Sequence, residues 1–88
     1  MKIKRILYSS AFERALKKLD VKYAELVNER TRIFQDNCFD PRLKTHKCKG
    51  MLKGYWSFSI TYSHRILFEF QDDGTVAFIN VDDHSIYQ

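Results

Sequence analysis

Between Pro41 and Phe68 the chain carries Arg42, Lys44, Lys47, Lys49, Lys53 and Arg65, together with His46, His64, Tyr55, Trp56 and Tyr62, and contains no Asp or Glu. Cations without interleaved anions build a positive field that draws in a polyanion, and aromatic faces among them offer stacking surfaces that any base can use. This is the chemistry of a nucleic-acid backbone with bases to stack on. Asp72, Asp73, Asp82 and Asp83 lie toward the C-terminus, so the formal net charge of +4 understates the local asymmetry. Lysines that merely solvate a loop are the plainer alternative. The histidines and interleaved aromatics weigh against it, because an imidazole with an ordinary pKa of about 6.5 donates or accepts a proton near neutrality.

Three histidines with Asp82 and Asp83 contain the donors for a zinc site. His46, His64 and His84 stand eighteen and twenty residues apart, however, which matches no compact ligand spacing. No metal and no cofactor is expected. Neither a phosphate-cradling Gly-rich loop nor a nucleophile elbow is present. Cys38 and Cys48 lack a CxxC arrangement and sit in a chain without secretory features, so both read as free thiols.

A length of 88 residues fits one domain spanning positions 1–88, with a core rich in rings, since the chain has seven Phe and five Tyr. Three Gly and one Pro leave no room for a linker or low-complexity tail. The N-terminal MKIKRILYSS has no continuous apolar stretch of signal-peptide length, and nothing approaches the roughly 20 apolar residues of a membrane span. A cytoplasmic protein is expected.

The elements that must carry these residues follow from periodicity. Lys2 to Tyr8 reads as a strand. Ser10 and Glu13 fit a capping box, and Phe12, Ala15, Leu16 and Leu19 fall on one helical face. Asp20 is placed to cap a second helix, with Tyr23, Leu26, Val27, Ile33 and Phe34 on its apolar stripe. From Asp36 to Gly54 the pattern is that of a loop. Trp56, Phe58, Ile60 and Tyr62 then alternate with Ser57, Ser59, Thr61 and Ser63, which predicts a strand with one face on the core and one small, polar, open face. His64 to Gln71 and Val76 to Val81 read as two further strands about an Asp72–Thr75 turn. The expected fold class is α+β: one strand, a helical hairpin, then a three-stranded antiparallel meander, with the helices packed on one face of a twisted sheet.

The block Gly54-Tyr55-Trp56-Ser57-Phe58-Ser59-Ile60-Thr61-Tyr62-Ser63-His64-Arg65-Ile66, preceded by Leu43-Lys44 and Gly50, resembles the G-[FY]-W-S-x-x-I-x-x-x-[HY]-R-[ILV] segment of RelE/ParE superfamily toxins, notably the YoeB-like and YafQ-like branches. The ending His84-Ser85-Ile86-Tyr87 is similar to the His-x-x-[VIL]-[YF] tail of the RelE/StbE group. The resemblance implies the toxin of a type II toxin–antitoxin system, a ribosome-dependent endoribonuclease that cuts mRNA in the A site by metal-independent transesterification. Its implied partners are a cognate antitoxin, in a hetero-oligomer, and mRNA with the ribosome. A toxin of the same fold that acts by binding, like the gyrase-inhibiting ParE branch, is the alternative; a catalytically inactive RNA-binding domain is a third.

By the same resemblance Arg65 matches the arginine that stabilises the transition state, His84 the general acid and His46 the loop histidine that serves as general base. Tyr87 matches the terminal aromatic that assists proton transfer or stacks on a base, and His64 stands at a His-or-Tyr position with a structural or stacking part. Arg42, Lys44, Lys47, Lys49, Lys53, Tyr55 and His64 make up the expected RNA-binding surface. The chain departs from its relatives in cations: Trp56 and Phe58 replace the lysines of the RelE branch. Ser59, Ser63 and His64 stand where the YafQ-like branch has His, Asp and Trp, and Asn80 replaces an arginine. If the basic stretch binds RNA mainly by charge, affinity measured against salt should fall with a log–log slope of about 0.7 per neutralised phosphate; a slope near zero would remove the argument.

Overall fold

The computed structural model describes residues 1–83, so His84 and Tyr87 lie outside the described residues. Along the chain run β1 (Arg5–Tyr8), α1 (Ser10–Lys18), α2 (Val21–Asp36), β2 (His46–Lys47), β3 (Trp56–Ser59), β4 (His64–Phe70) and β5 (Thr75–Asp83), with short 3-10 turns at Pro41–Leu43 and Gly50–Leu52. This is the expected α+β order. The sheet order is β1-β5-β4-β3-β2, antiparallel from β5 through β2, with β1 added parallel to β5.

Two helices joined at Leu19–Asp20 are long enough to carry the chain from β1 back across the sheet, which is what a helical hairpin before a meander requires. The first helix is capped one residue earlier than the sequence suggests. Ser9, not Ser10, is the N-cap: its Oγ accepts from the Phe12 amide at 2.9 Å and donates to the Ile79 carbonyl at 2.7 Å, while its own amide donates to the Phe78 carbonyl at 3.1 Å. Glu13 therefore falls one position too late for a capping box. Asp20 holds the N-cap position of α2 without a side-chain hydrogen bond.

Ile79 marks an irregularity. Leu67 faces Asn80 but Phe68 faces Phe78, so β5 holds one residue more than β4 there, a β-bulge. Asn80 Oδ1 accepts from the Val81 amide at 2.9 Å beside it. At the other end of the β4–β5 hairpin, Asp73 (φ 50°) and Gly74 (φ 76°) both adopt left-handed backbone. Left-handed backbone at both central positions matches the right-handed twist of the strands it joins.

The core is aromatic. Phe34 on α2 stacks on Phe58 with ring centroids 4.6 Å apart and meets Phe68 and Phe78 edge-on at 4.9 and 5.4 Å, so one helical residue touches three neighbouring strands. Phe12 of α1 reaches the same Phe78 ring at 5.4 Å, which places both helices on one sheet face. Phe39, Trp56 and Phe70 form a satellite cluster at the β3 end.

Two expectations need correction. The 36–54 segment is not wholly loop, because His46–Lys47 pairs with Trp56–Ser57 and adds a fifth strand. The second concerns the small polar face of β3, which ends at Ser59 and is not fully open. Ser57 is only 1% exposed, covered where the β2 segment folds over it, and its hydroxyl meets His46 Nε2 at 3.3 Å. Cys38 and Cys48 are both free thiols, Cys38 fully buried.

Because Ser9 bridges the α1 amide and the bulge carbonyl, Ser9→Ala should lower unfolding free energy by about 1–2 kcal/mol and Ser10→Ala by much less. Phe34→Ala should cost about 3–5 kcal/mol. Denaturant unfolding of the three variants checks the order; an equal loss for Ser9→Ala and Ser10→Ala would contradict the cap assignment.

Candidate active site

Register places four side chains on the sheet face away from the helices. His46 lies opposite Ser57, Ser59 lies two residues further along β3, and Arg65 lies opposite Ser59. Alternation puts Phe58, Ile66 and Phe68 on the core face and His46, Ser57, Ser59 and Arg65 on the other. Two strand spacings and a two-residue offset set the Cα atoms of His46 and Arg65 about 12 Å apart, a gap that two such side chains can close around a phosphodiester.

The orientation of His46 is fixed from behind. Its Nδ1 lies 2.8 Å from the Lys44 carbonyl, an acceptor, so Nδ1 carries the hydrogen and the neutral ring keeps a lone pair on Nε2. The Lys44 carbonyl is aimed by the left-handed turn at Lys44 (φ 52°) that closes the Pro41–Leu43 helix. Nε2, 3.3 Å from the Ser57 hydroxyl, is the nitrogen with a lone pair that can take a proton from a substrate. His64 is placed differently: its ring packs on Tyr23 of α2 at 4.5 Å, and its Nδ1 lies 3.1 Å from Ser63 Oγ and 3.3 Å from Thr61 Oγ1. These contacts tie the β3–β4 turn to the helix, the structural part.

Arg65 opens onto a depression of about 390 Å³ whose walls include Arg30, Arg42, Lys44, Ser59 and Thr61, with no acidic side chain lining it among the described residues. Tyr62 stands at its rim, 96% exposed. Arg42 is engaged there: Nε and Nη2 donate to the two Asp40 oxygens at 3.0 and 2.9 Å, and the Arg42 amide donates to Oδ1 at 2.9 Å. The Arg42 side chain and amide hold the Asp40 carboxyl well below the usual carboxylate range, at about 2. Arg42 thus enters the surface as half of a neutral pair.

Arg30 was not legible as a site residue in the sequence. It sits on α2, between Val27 and Phe34, and only the folded hairpin brings it to the depression that Arg65 lines.

The remaining predicted cations gather around a larger depression of about 610 Å³, lined by Lys47, Lys49, Lys53 and Tyr55 with Cys48 and Trp56. Lys47 Nζ lies over the Trp56 ring at 5.5 Å. This hollow is larger, but Arg65 does not line it, so it is an apolar and cationic surface beside the one at Arg65; His46 lines neither depression and is related to Arg65 through strand register. Burial pushes the Cys48 thiol up, against the lowering pull of a Ser57 hydrogen bond and the Arg65 charge. That keeps the sulfur protonated at neutral pH, a poor nucleophile. Among the described residues no group of three His, Cys, Asp or Glu is arranged to hold a metal ion, and no helix is long and apolar enough to cross a membrane.

Residues 6–86 match the family model described as the ParE toxin of the type II toxin–antitoxin system parDE. No curated protein matches the chain significantly. Among solved structures it is similar to a YoeB/ParE toxin from Agrobacterium tumefaciens, with TM-score 0.77 and 22% identity over 92% of this chain and 99% of that one. The DinJ–YafQ toxin–antitoxin complex from E. coli gives TM-score 0.75 and 16% identity over 98% and 97%. A YoeB dimer from Staphylococcus aureus gives 0.74 and 23% over 96% and 99%. At these identities the likeness establishes the fold.

A carboxyl whose folded pKa is depressed stabilises the fold above its ordinary value, near 3.8, and that contribution is lost as pH falls through about 2. NMR titration of the Asp40 carboxyl should therefore show a midpoint near 2, moving up toward the ordinary range in Arg42→Gln. An ordinary midpoint in the unsubstituted protein would show that the pair does not persist in solution.

Proposed function

Since the chain belongs to the ParE toxin family of type II toxin–antitoxin systems, within the RelE/ParE superfamily, we propose that it is an endoribonuclease toxin that cleaves mRNA in the ribosomal A site. The observation that carries this reading is the placement, on one sheet face, of a guanidinium at Arg65 and of a histidine whose Nδ1–H is committed to the Lys44 carbonyl and whose Nε2, beside the Ser57 hydroxyl, has the lone pair of a base. A toxin that only binds has no need of that tautomer.

In the proposed reaction Nε2 of His46 takes the proton of a ribose 2′-hydroxyl. The 2′-oxygen then attacks the adjacent phosphorus, and the P–O5′ bond breaks. Arg65 donates to the phosphoryl oxygens, where charge accumulates on the way to the phosphorane, and a guanidinium suits this because it holds its charge at any working pH and brackets two oxygens at once. The departing 5′-oxygen takes a proton from His84, assisted by Tyr87. The products are a 2′,3′-cyclic phosphate end and a 5′-hydroxyl end. Lys44 beside Arg65, and Lys47, Lys49, Lys53 and Tyr55 beyond it, supply the track for the rest of the strand, and His64 steadies the turn that carries Arg65.

The DinJ–YafQ structure, a toxin–antitoxin complex, supports an antitoxin partner for this chain, and a cytoplasmic location follows from that role. The matching family model is the ParE one. That favours, as a second reading, a toxin of this fold that disables its target by binding alone.

Mapping transcript ends after induced expression separates the two: cleaved messages with cyclic phosphate ends support the ribonuclease, and DNA damage with intact messages supports the binder. Arg65→Ala and His84→Gln should each lower cleavage by about 10²- to 10⁴-fold while leaving the fold unchanged, and His46→Ala should do so to a smaller degree. Folded Arg65 and His84 variants that still arrest growth as strongly as the parent protein would promote the binding reading.

A further inference from the structure

Arg30 is held in an unusual place for an arginine. Val27 and Phe34 are buried at 3% and 0% exposure, and a residue three positions after one and four before the other lies on the same, sheet-facing side of α2. Its Nε is buried and has no hydrogen-bond partner among the described residues. A buried donor left without an acceptor carries a standing penalty, which a small turn of the side chain toward an acceptor in the adjoining depression would remove. Arg30 lines the same depression as Arg65, Lys44, Ser59 and Thr61. Asp40 senses its charge, yet both Asp40 oxygens are engaged by Arg42.

We infer that Arg30 is a substrate-positioning residue that grips the phosphodiester next to the one on Arg65, with the exposed ring of Tyr62 stacking the base between them. The inference rests on the ribonuclease reading in taking RNA as the ligand. A guanidinium edge made of Nε and one Nη matches two oxygens of a phosphate, and Arg65 lines the same depression. The depression, at about 390 Å³, has the capacity of a small-ligand site, about 300–1,000 Å³. Tyr62, 96% exposed at the tip of the β3–β4 connection, presents a flat face that any base can use. Repeating phosphates with bases between them fit this set of groups; an acidic protein segment offers carboxylates but nothing to lie on the ring. Since Arg30 rides on a helix locked by Phe34, its grip fixes how far the strand slides before a given phosphorus meets Arg65.

The test uses the full chain with short RNAs made uncleavable by a deoxyribose at the attacking position: a dinucleotide with one phosphodiester and a trinucleotide with two. The trinucleotide should bind at least about fivefold tighter, and the Arg30 Nε–Hε resonance should shift on its addition but much less with the dinucleotide. Arg30→Met should abolish the gain while keeping dinucleotide affinity, and Tyr62→Ser should lower trinucleotide affinity by about fivefold. Equal affinities for the two RNAs, an Arg30 resonance that ignores the trinucleotide, or a gain that survives Arg30→Met would each overturn the inference. So would a Glu-rich peptide that moves that resonance where RNA does not. If Arg30→Met fails to fold, the titration of the unsubstituted protein still decides. Transcripts left uncut by a protein with the trinucleotide gain would sink the ribonuclease reading alone, and transcripts cut by one without it would sink this inference alone.

Discussion

The ring of Phe34 is the fixed point of this molecule. By touching Phe58, Phe68 and Phe78 it clamps α2 across three strands at once, in stacked and edge-on geometries that aromatic pairs favour. A chain this short has few other ways to hold a helix at a set height above a sheet. Everything α2 contributes around the candidate site depends on that height: Tyr23, which receives the His64 ring, and Arg30, which lines the same depression as Arg65. The chemistry on one side of the sheet is thus set by hydrocarbon contacts on the other.

Charge is organised by subtraction as much as by placement. The run from Pro41 to Phe68 has no acid of its own, but Asp40 just before it takes Arg42 out of the field through a bidentate pair. The other cations divide between two hollows, Lys44 with Arg30 and Arg65 in one, and Lys47, Lys49 and Lys53 in the other. The first gathers guanidinium and ammonium groups around Ser59 and Thr61, with His46 outside it on the neighbouring strand. The second joins its lysines to apolar surface around Trp56, a mixture better suited to a large, partly apolar partner than to a bare phosphate chain.

The parts of this arrangement that were legible in the sequence are those encoded locally. Alternation over Trp56–Ser59, the Asp72–Thr75 turn and the helical stripe ending at Phe34 each depend on neighbours within a few residues, and each was read correctly in kind. The basic run was visible for the same reason, whereas Arg65 was singled out by the resemblance of its segment to RelE/ParE toxins. What stayed hidden depends on partners far along the chain. Ser9 outcompetes Ser10 as cap because its hydroxyl has the Ile79 carbonyl to serve, seventy residues away. The two-residue β2 exists only because β3 offers an edge, and Arg30 reads as one more charge on a charged helix until folding brings it to the depression that Arg65 lines.

The extra residue at Ile79 acts as a parity switch within β5. Before it, Val76 and Phe78 point into the core; after it, Val81 does, two even positions giving way to an odd one. A strand of fixed period cannot otherwise be apolar toward the helices at both ends when its sequence changes phase midway. Position 82 consequently falls opposite Arg65 by virtue of a defect placed several residues earlier, and Ser9 holds that defect in place by its carbonyl. The N-terminus of the first helix is therefore part of the apparatus that aligns the far end of the last strand with the candidate site, although no atom of α1 lines the hollow at Arg65.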